Sequence, residues 1–279
     1  MNLFIFCATL FNARTDGYSL RRRHFDVKKP SFTTFVVKLS KRKKIRRRLM
    51  VQSETEEKGY YEMLKVVVFD GGFGGELFAD RLEAELPVVE VIRVIDWRNA
   101  KQILKSPKSA RKTAEEALRP YLGKVDLIIF ANYLLSTTSL KYFRRRYKDQ
   151  KFTGFTFRPK RIAVKKRTLV VATSPITRNL SYAVFAHRAK AKTICFDSWP
   201  LLIDDGELTL ETMHQDLEAS LTSIRDFSPE QILLACGQFT ELTDEFRKAF
   251  GHNVRIVDGF DDVIESACRI LGLKYPKKK

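Results

Sequence analysis

Lys65-Val66-Val67-Val68-Phe69-Asp70-Gly71-Gly72-Phe73-Gly74-Gly75 is the stretch on which the reading of the whole chain turns. A mostly apolar run ending in a carboxylate predicts a buried strand with Asp70 at its C-terminal end. The glycines that follow let backbone N–H groups approach a small anion closely. Residues 76–82 carry the spacing of a helix, whose N-terminus favours negative charge, so the turn is expected to hold a small acidic molecule. Two other readings stand beside this one. A dinucleotide fingerprint needs a third glycine where Leu77 stands, and a plain strand-to-helix turn would use Asp70 only as a cap.

Working outward, strands are expected over 88–95, 125–130, 151–157, 167–172, 192–195, 231–235 and 254–257. Helices are expected over 110–122, 136–147, 177–189, 210–226, 240–250 and 261–271. The alternation predicts an α/β fold with right-handed crossovers and parallel sheets, arranged as two lobes with a cleft between them. A composition break near Arg158-Pro159-Lys160-Arg161 sets the expected division. Residues 63–158 form the first lobe, 159–258 the second, and 259–279 contain a C-terminal helix that can pack back on the first.

The formal charge of +18 is unevenly placed: residues 1–62 hold 15 Lys and Arg against 6 Asp and Glu, half of the excess. That leader has no sustained apolar period and is expected to be disordered. Its basic runs within 21–48 allow weak, non-specific nucleic-acid binding by counterion release, although a solvated tail explains them more simply. Residues 1–11 are apolar, too short to span a bilayer, and lack a basic flank in front, so neither a transmembrane segment nor a secretory signal is expected. Transit-peptide composition is a further reading of the leader. Met63 is an alternative start.

Cys7, Cys195, Cys236 and Cys268 form no CxxC pair, and His187, His214 and His252 have no acidic partner at ligand spacing. Neither a disulfide framework nor a metal site is expected, and a reducing, cytoplasmic setting fits. Arg144-Arg145-Arg146 and Lys165-Lys166-Arg167, with aromatics nearby, match no RNA-binding signature and read as solvated surface.

Four expected strand ends carry polar or thiol groups, at Asp70, Asn132, Thr173 and Cys236, and such ends surround the ligand crevice of open α/β sheets. Together with the glycine turn they give the chain a resemblance to the aspartate/glutamate racemase superfamily, nearest to glutamate racemase, over about residues 63–272. Phe69-Asp70-Gly71-Gly72-Phe73-Gly74-Gly75 resembles FDSGxGG, and residues 154–159 resemble the short GxxxP connection. Ala172-Thr173-Ser174-Pro175-Ile176-Thr177 is similar to ATxxT with one residue added. Residues 197–206, with Trp199-Pro200-Leu201-Leu202 and Asp204-Asp205-Gly206, resemble an apolar-Pro-Leu loop ending in acids and glycine.

The resemblance implies two α/β lobes and a cofactor-independent reaction in which two cysteines exchange the α-proton of an acidic amino acid from opposite faces. It places Asp70 and Cys236 as catalytic candidates. Gly71, Asn132, Tyr133, Thr173, Thr177, Gly237 and Gln238 fall at substrate-binding positions. No cofactor is implied. The family's CNT stands here as Ala131-Asn132-Tyr133, so the first thiol is missing, and GCTHYP stands as Ala235-Cys236-Gly237-Gln238-Phe239-Thr240, without the assisting histidine. One thiol cannot serve both faces of a carbon acid. The expected function is therefore recognition of a small acidic amino acid with racemisation in doubt. The alternative is a non-catalytic binding or interaction protein built on that fold. Association as a homodimer is left open.

Overall fold

The computed structural model describes residues 63–157, 161–163, 165–222, 224 and 227–276. The expectations for the leader, including Cys7 and the runs within 21–48, lie outside the described residues, as do Arg158, Pro159 and Lys160 at the composition break.

Strand β1 (Leu64–Asp70) leads into α1 (Phe73–Glu85) and β2 (Val89–Ile95). A 3-10 turn at Trp97–Asn99 precedes α2 (Ala100–Lys105), α3 (Pro107–Leu118) and β3 (Leu127–Phe130). Then come α4 (Tyr133–Arg146) and β4 (Phe152–Gly154). The four strands form one parallel sheet in the order β2-β1-β3-β4.

The second half repeats this plan with β5 (Thr168–Ala172), α5 (Ser174–Thr177), α6 (Leu180–Arg188), β6 (Lys192–Cys195), α7 (Trp199–Asp205) and α8 (Leu210–Thr222). It finishes with β7 (Gln231–Leu234), a 3-10 segment Gly237–Leu242, α9 (Thr243–Phe250), β8 (Arg255–Val257) and α10 (Phe260–Leu271). Its sheet is again parallel, in the order β6-β5-β7-β8. A helix on each crossover is what parallel pairing demands.

The central strands are buried on both faces, which is why their sequences read as unbroken apolar runs. Val66 and Val68 of β1 join an interior shared by both sheets, with Ile129, Val170, Leu233 and the α10 residues Val263, Ile264 and Ala267. Val67 and Phe69, pointing the other way, join Ile128 and Phe143 on the outer face of the first sheet. The equivalent outer core of the second sheet is built on Trp199, Phe239 and Phe246. Helix α10 meets α1 through the edge-on pair Phe78–Phe260, centroids 5.3 Å apart, and through Arg81, which bonds Asp258 and Asp261.

Several expectations change. Residues 197–206, read as a loop, contain α7: Pro200 occupies the first turn, where its missing N–H costs nothing, and Gly206 closes the helix in the left-handed region at φ 71°. The helix expected over 177–189 is two, parted at Arg178 and Asn179, with the Asn179 side chain accepting from Ser181 N–H to start α6. Helix α3 begins earlier than expected because Ser106 caps it at Ser109 N–H and Pro107 follows.

Candidate functional site

In register, Phe69 pairs with Phe130 and Val171 with Leu234, so the chain leaves each sheet's central strands side by side. Asp70 and Asn132 emerge from one sheet, Thr173 and Cys236 from the other.

Asp70 is 2% exposed. Its Oδ1 accepts from Gly71 N–H at 2.7 Å and from Asn132 Nδ2 at 2.9 Å. Asn132 is held from its other end, its Oδ1 accepting from Leu135 N–H at 2.9 Å as the cap of α4. Burial pushes the Asp70 carboxyl up to about 7. The bonds from Asn132 and the Gly71 backbone oppose that rise, and the nearby charge of Asp204 adds to it.

Cys236 follows β7 and is buried. Its thiol donates to Gln238 Oε1 at 3.1 Å. Burial raises the thiol well above its ordinary range, and the charge of Asp70 raises it further, which places acid and thiol within each other's field. A thiol so held is a proton donor at neutral pH and not a thiolate base.

One participant was present in the quoted motifs without a role assigned. Asp204, near the end of α7, reaches across to the first sheet, where its Oδ1 accepts from Phe73 N–H at 2.8 Å. The N-cap position of α1 is Gly72, which has no side chain to offer, so the chain's own carboxylate from the opposite half sits at the glycine turn. A Cβ on Gly72 would stand 2.2 Å from Asp204 Oδ2. Gln238 Nε2 lies 3.4 Å from both Asp204 oxygens, linking this carboxylate to the Cys236 thiol. Burial raises the Asp204 carboxyl to about 6. Helix α7 is fixed by Trp199, fully buried, stacked on Phe196 at 3.7 Å, and bonded through Nε1 to Asp216 at 2.7 Å.

The two halves touch here backbone to backbone. A Cβ on Gly237 would lie 2.9 Å from Gly74 Cα, and one on Gly74 would lie 2.9 Å from Gln238 N, so only glycine at both positions permits this approach. Threonine, the residue the family resemblance places at 237, does not fit this contact. Gly71 is similarly crowded, with Ile103 Cδ1 2.8 Å from the site of a Cβ.

The other candidates lie elsewhere. The Tyr133 ring stacks on Phe155 at 4.2 Å and its hydroxyl donates to the Asp258 carbonyl at 3.1 Å, which makes its side chain part of the aromatic packing under α10. Thr173 is buried at the end of β5 and precedes α5. Thr177 donates to Ser174 O at 2.8 Å and its side chain also bonds Cys195, away from Asp70 and Cys236. Among the described residues no group of three His, Cys, Asp or Glu side chains is placed to hold a metal ion, and no helix is long and apolar enough to cross a membrane.

No family model matches the chain. Glutamate racemase of Clostridium novyi (strain NT) is 22% identical over 199 residues, covering 68% of this chain and 77% of that protein. The crystal structure of glutamate racemase from Campylobacter jejuni superposes with a TM-score of 0.67 at 19% identity, over 77% of this chain and 89% of that one. Glutamate racemase from Francisella tularensis, solved in complex with D-glutamate, superposes with a TM-score of 0.66 at 18% identity, over 77% and 85% of the two chains.

Proposed function

Because this chain belongs to the aspartate/glutamate racemase superfamily and has the fold of glutamate racemase, we propose that it recognises a small acidic amino acid between Asp70 and Cys236 without inverting it. The observation that supports the reading is that these two buried groups leave the central strands of opposite sheets, close enough for the charge of Asp70 to raise the Cys236 thiol.

The chemistry follows from what each wall offers. On the Cys236 side a protonated thiol can deliver a proton to a carbanion. On the other side Ala131 carries no ionisable group, and Asp70, near 7, is the remaining base. A carboxylate is poorly matched to an α-C–H acid, so proton abstraction through Asp70 is slow. With the thiol protonated and the carboxylate a weak base, neither wall removes the α-proton at an appreciable rate. Binding without inversion is the expected behaviour, and Asn132 and Gln238 supply the neutral hydrogen-bonding groups around the ligand. The ligand's carboxylate competes with Asp204 for the Phe73 N–H, so binding opens the contact between the halves.

D- and L-glutamate and D- and L-aspartate, each incubated with the protein in D2O, test this. The expected result is thermal stabilisation by at least one of them, with no appearance of the opposite enantiomer. Any slow deuterium incorporation at Cα should pass through Asp70 and be lost in Asp70→Asn. Racemisation of either amino acid would overturn the reading. Stabilisation by none of the four would leave the non-catalytic interaction protein as the reading to pursue.

A further inference from the structure

A concavity that includes neither Asp70 nor Cys236 lies between α4 and α6. It has a volume of about 820 Å³. Its floor is Phe155, Phe157, Ile162 and Phe185, all buried. Its lip is Leu180, 79% exposed, and Val184, 43% exposed, one helical turn apart on α6. Two of the four most exposed large apolar side chains among the described residues thus share one edge of one groove.

Charge is distributed around it with a single sign. Lys141 and Arg145, one turn apart on α4, face the groove with Arg188 at the end of α6, and all three are exposed. None has a described ion pair, whereas Arg144 beside them is tied to the Phe152 carbonyl at 2.7 and 3.0 Å. Among the described residues no Asp or Glu lines the groove.

We propose that this groove docks an acidic amphipathic helix of a partner protein. A helix satisfies its own backbone bonds and can lay an apolar stripe on a floor that offers few polar partners. Carboxylates flanking that stripe meet Lys141, Arg145 and Arg188. Charge complementarity decides among occupants. A second copy related by a two-fold axis would set these cations against their own images, and the leader at 1–62 is itself strongly basic. A membrane is flat where this surface is hollow. The assignment does not depend on the reading of the strand-end site.

The probe is a fluorescein-labelled peptide of sixteen residues, Glu and Ala with Leu at i, i+3, i+4 and i+7, titrated with the full chain by fluorescence polarisation. Binding is expected, weakening as salt rises. It should weaken at least about tenfold in Leu180→Asp, Val184→Asp and the triple reversal Lys141→Glu, Arg145→Glu, Arg188→Glu. Because these side chains are exposed, the variants should keep the wild-type melting temperature. A peptide of the same composition with the Leu residues scattered around the helix should bind at least about tenfold less tightly, which separates docking from attraction to the leader. The proposal is overturned by absent binding, by equal binding of the scattered peptide, or by equal binding to the groove variants. It is also overturned if Leu180→Asp abolishes self-association in sedimentation, or retention on phosphatidylglycerol vesicles, while leaving peptide binding unchanged.

Discussion

Asp204→Ala is expected to raise the rate at which iodoacetamide alkylates Cys236 by roughly tenfold or more. That carboxylate is the polar tie between the halves at the glycine turn, accepting from Phe73 N–H at 2.8 Å and lying against Gln238. A charge-assisted bond of this kind contributes about 1.5 kcal/mol even when half-exposed, and each 1.4 kcal/mol is a factor of ten in the open population. Two effects add: the opened contact admits reagent, and loss of the Asp204 charge removes one of the influences that raise the Cys236 thiol. Gly237→Thr should act in the same direction from the other side, because its Cβ would meet Gly74 at 2.9 Å. Site-by-site mass spectrometry is the measurement, with Cys268, buried in α10, as the internal reference. Equal acceleration at Cys268 would indicate global loosening, and an unchanged Cys236 rate would show that Asp204 does not hold the contact shut.

Asp70→Asn is expected to make the folded state more stable at pH 8 and to leave it nearly unchanged at pH 4. The folded carboxyl titrates near 7 and the unfolded one near 3.8. Below 3.8 both states hold the proton and the group contributes no difference. Between the two values the unfolded chain has released a proton that the folded chain still binds, so stability falls as pH rises, and above 7 the folded state carries the full cost of a buried carboxylate. That cost is on the order of 4 kcal/mol, and asparagine, neutral throughout, removes most of it. Urea unfolding of both proteins from pH 4 to pH 8 reads the effect as a widening gap between them. A gap that stays constant or narrows across this window would contradict the burial argument. Asp204, near 6, slopes in the same direction over a shorter span, so the double variant should be flatter still.

Such costs identify the strand ends as a place where stability is given up. A buried carboxyl raises the proton affinity of a buried thiol, in a core that elsewhere satisfies itself with Val, Ile, Leu and Phe. Carboxyls poised near neutral pH, as Asp70 and Asp204 are, suit a binding or proton-handling site. The replacements relative to the family pattern belong together physically, since Gly237 provides the space into which α1 advances and Gln238 spans from the thiol to Asp204.

The strands were legible because their signal is local. Residues 66–69 alternate between two buried faces and so are apolar throughout, and a parallel sheet needs the intervening helices that the periodicity showed. Helix α7 was hidden because Pro200 and Asp204-Asp205-Gly206 carry turn chemistry, which also starts and ends helices; the buried Trp199 ring decides between the two uses. Tyr133 fell at a substrate position by alignment, yet its side chain points into the packing of Phe155 and Gly259, which no neighbouring residue announces.

By itself, then, the amino-acid order determined the alternation of strands and helices, the placement of Asp70, Asn132, Thr173 and Cys236 at strand ends, and the absence of a second thiol at Ala131. Each of these follows from short-range apolar patterning or from residue identity alone. Only the tertiary structure decided that Asp204 occupies the glycine turn, that Gly74 and Gly237 close on each other, and that Asp70 and Cys236 share one buried field. Those contacts join residues more than a hundred positions apart, and their energies come from burial and mutual charge, which exist only once the two sheets are packed together.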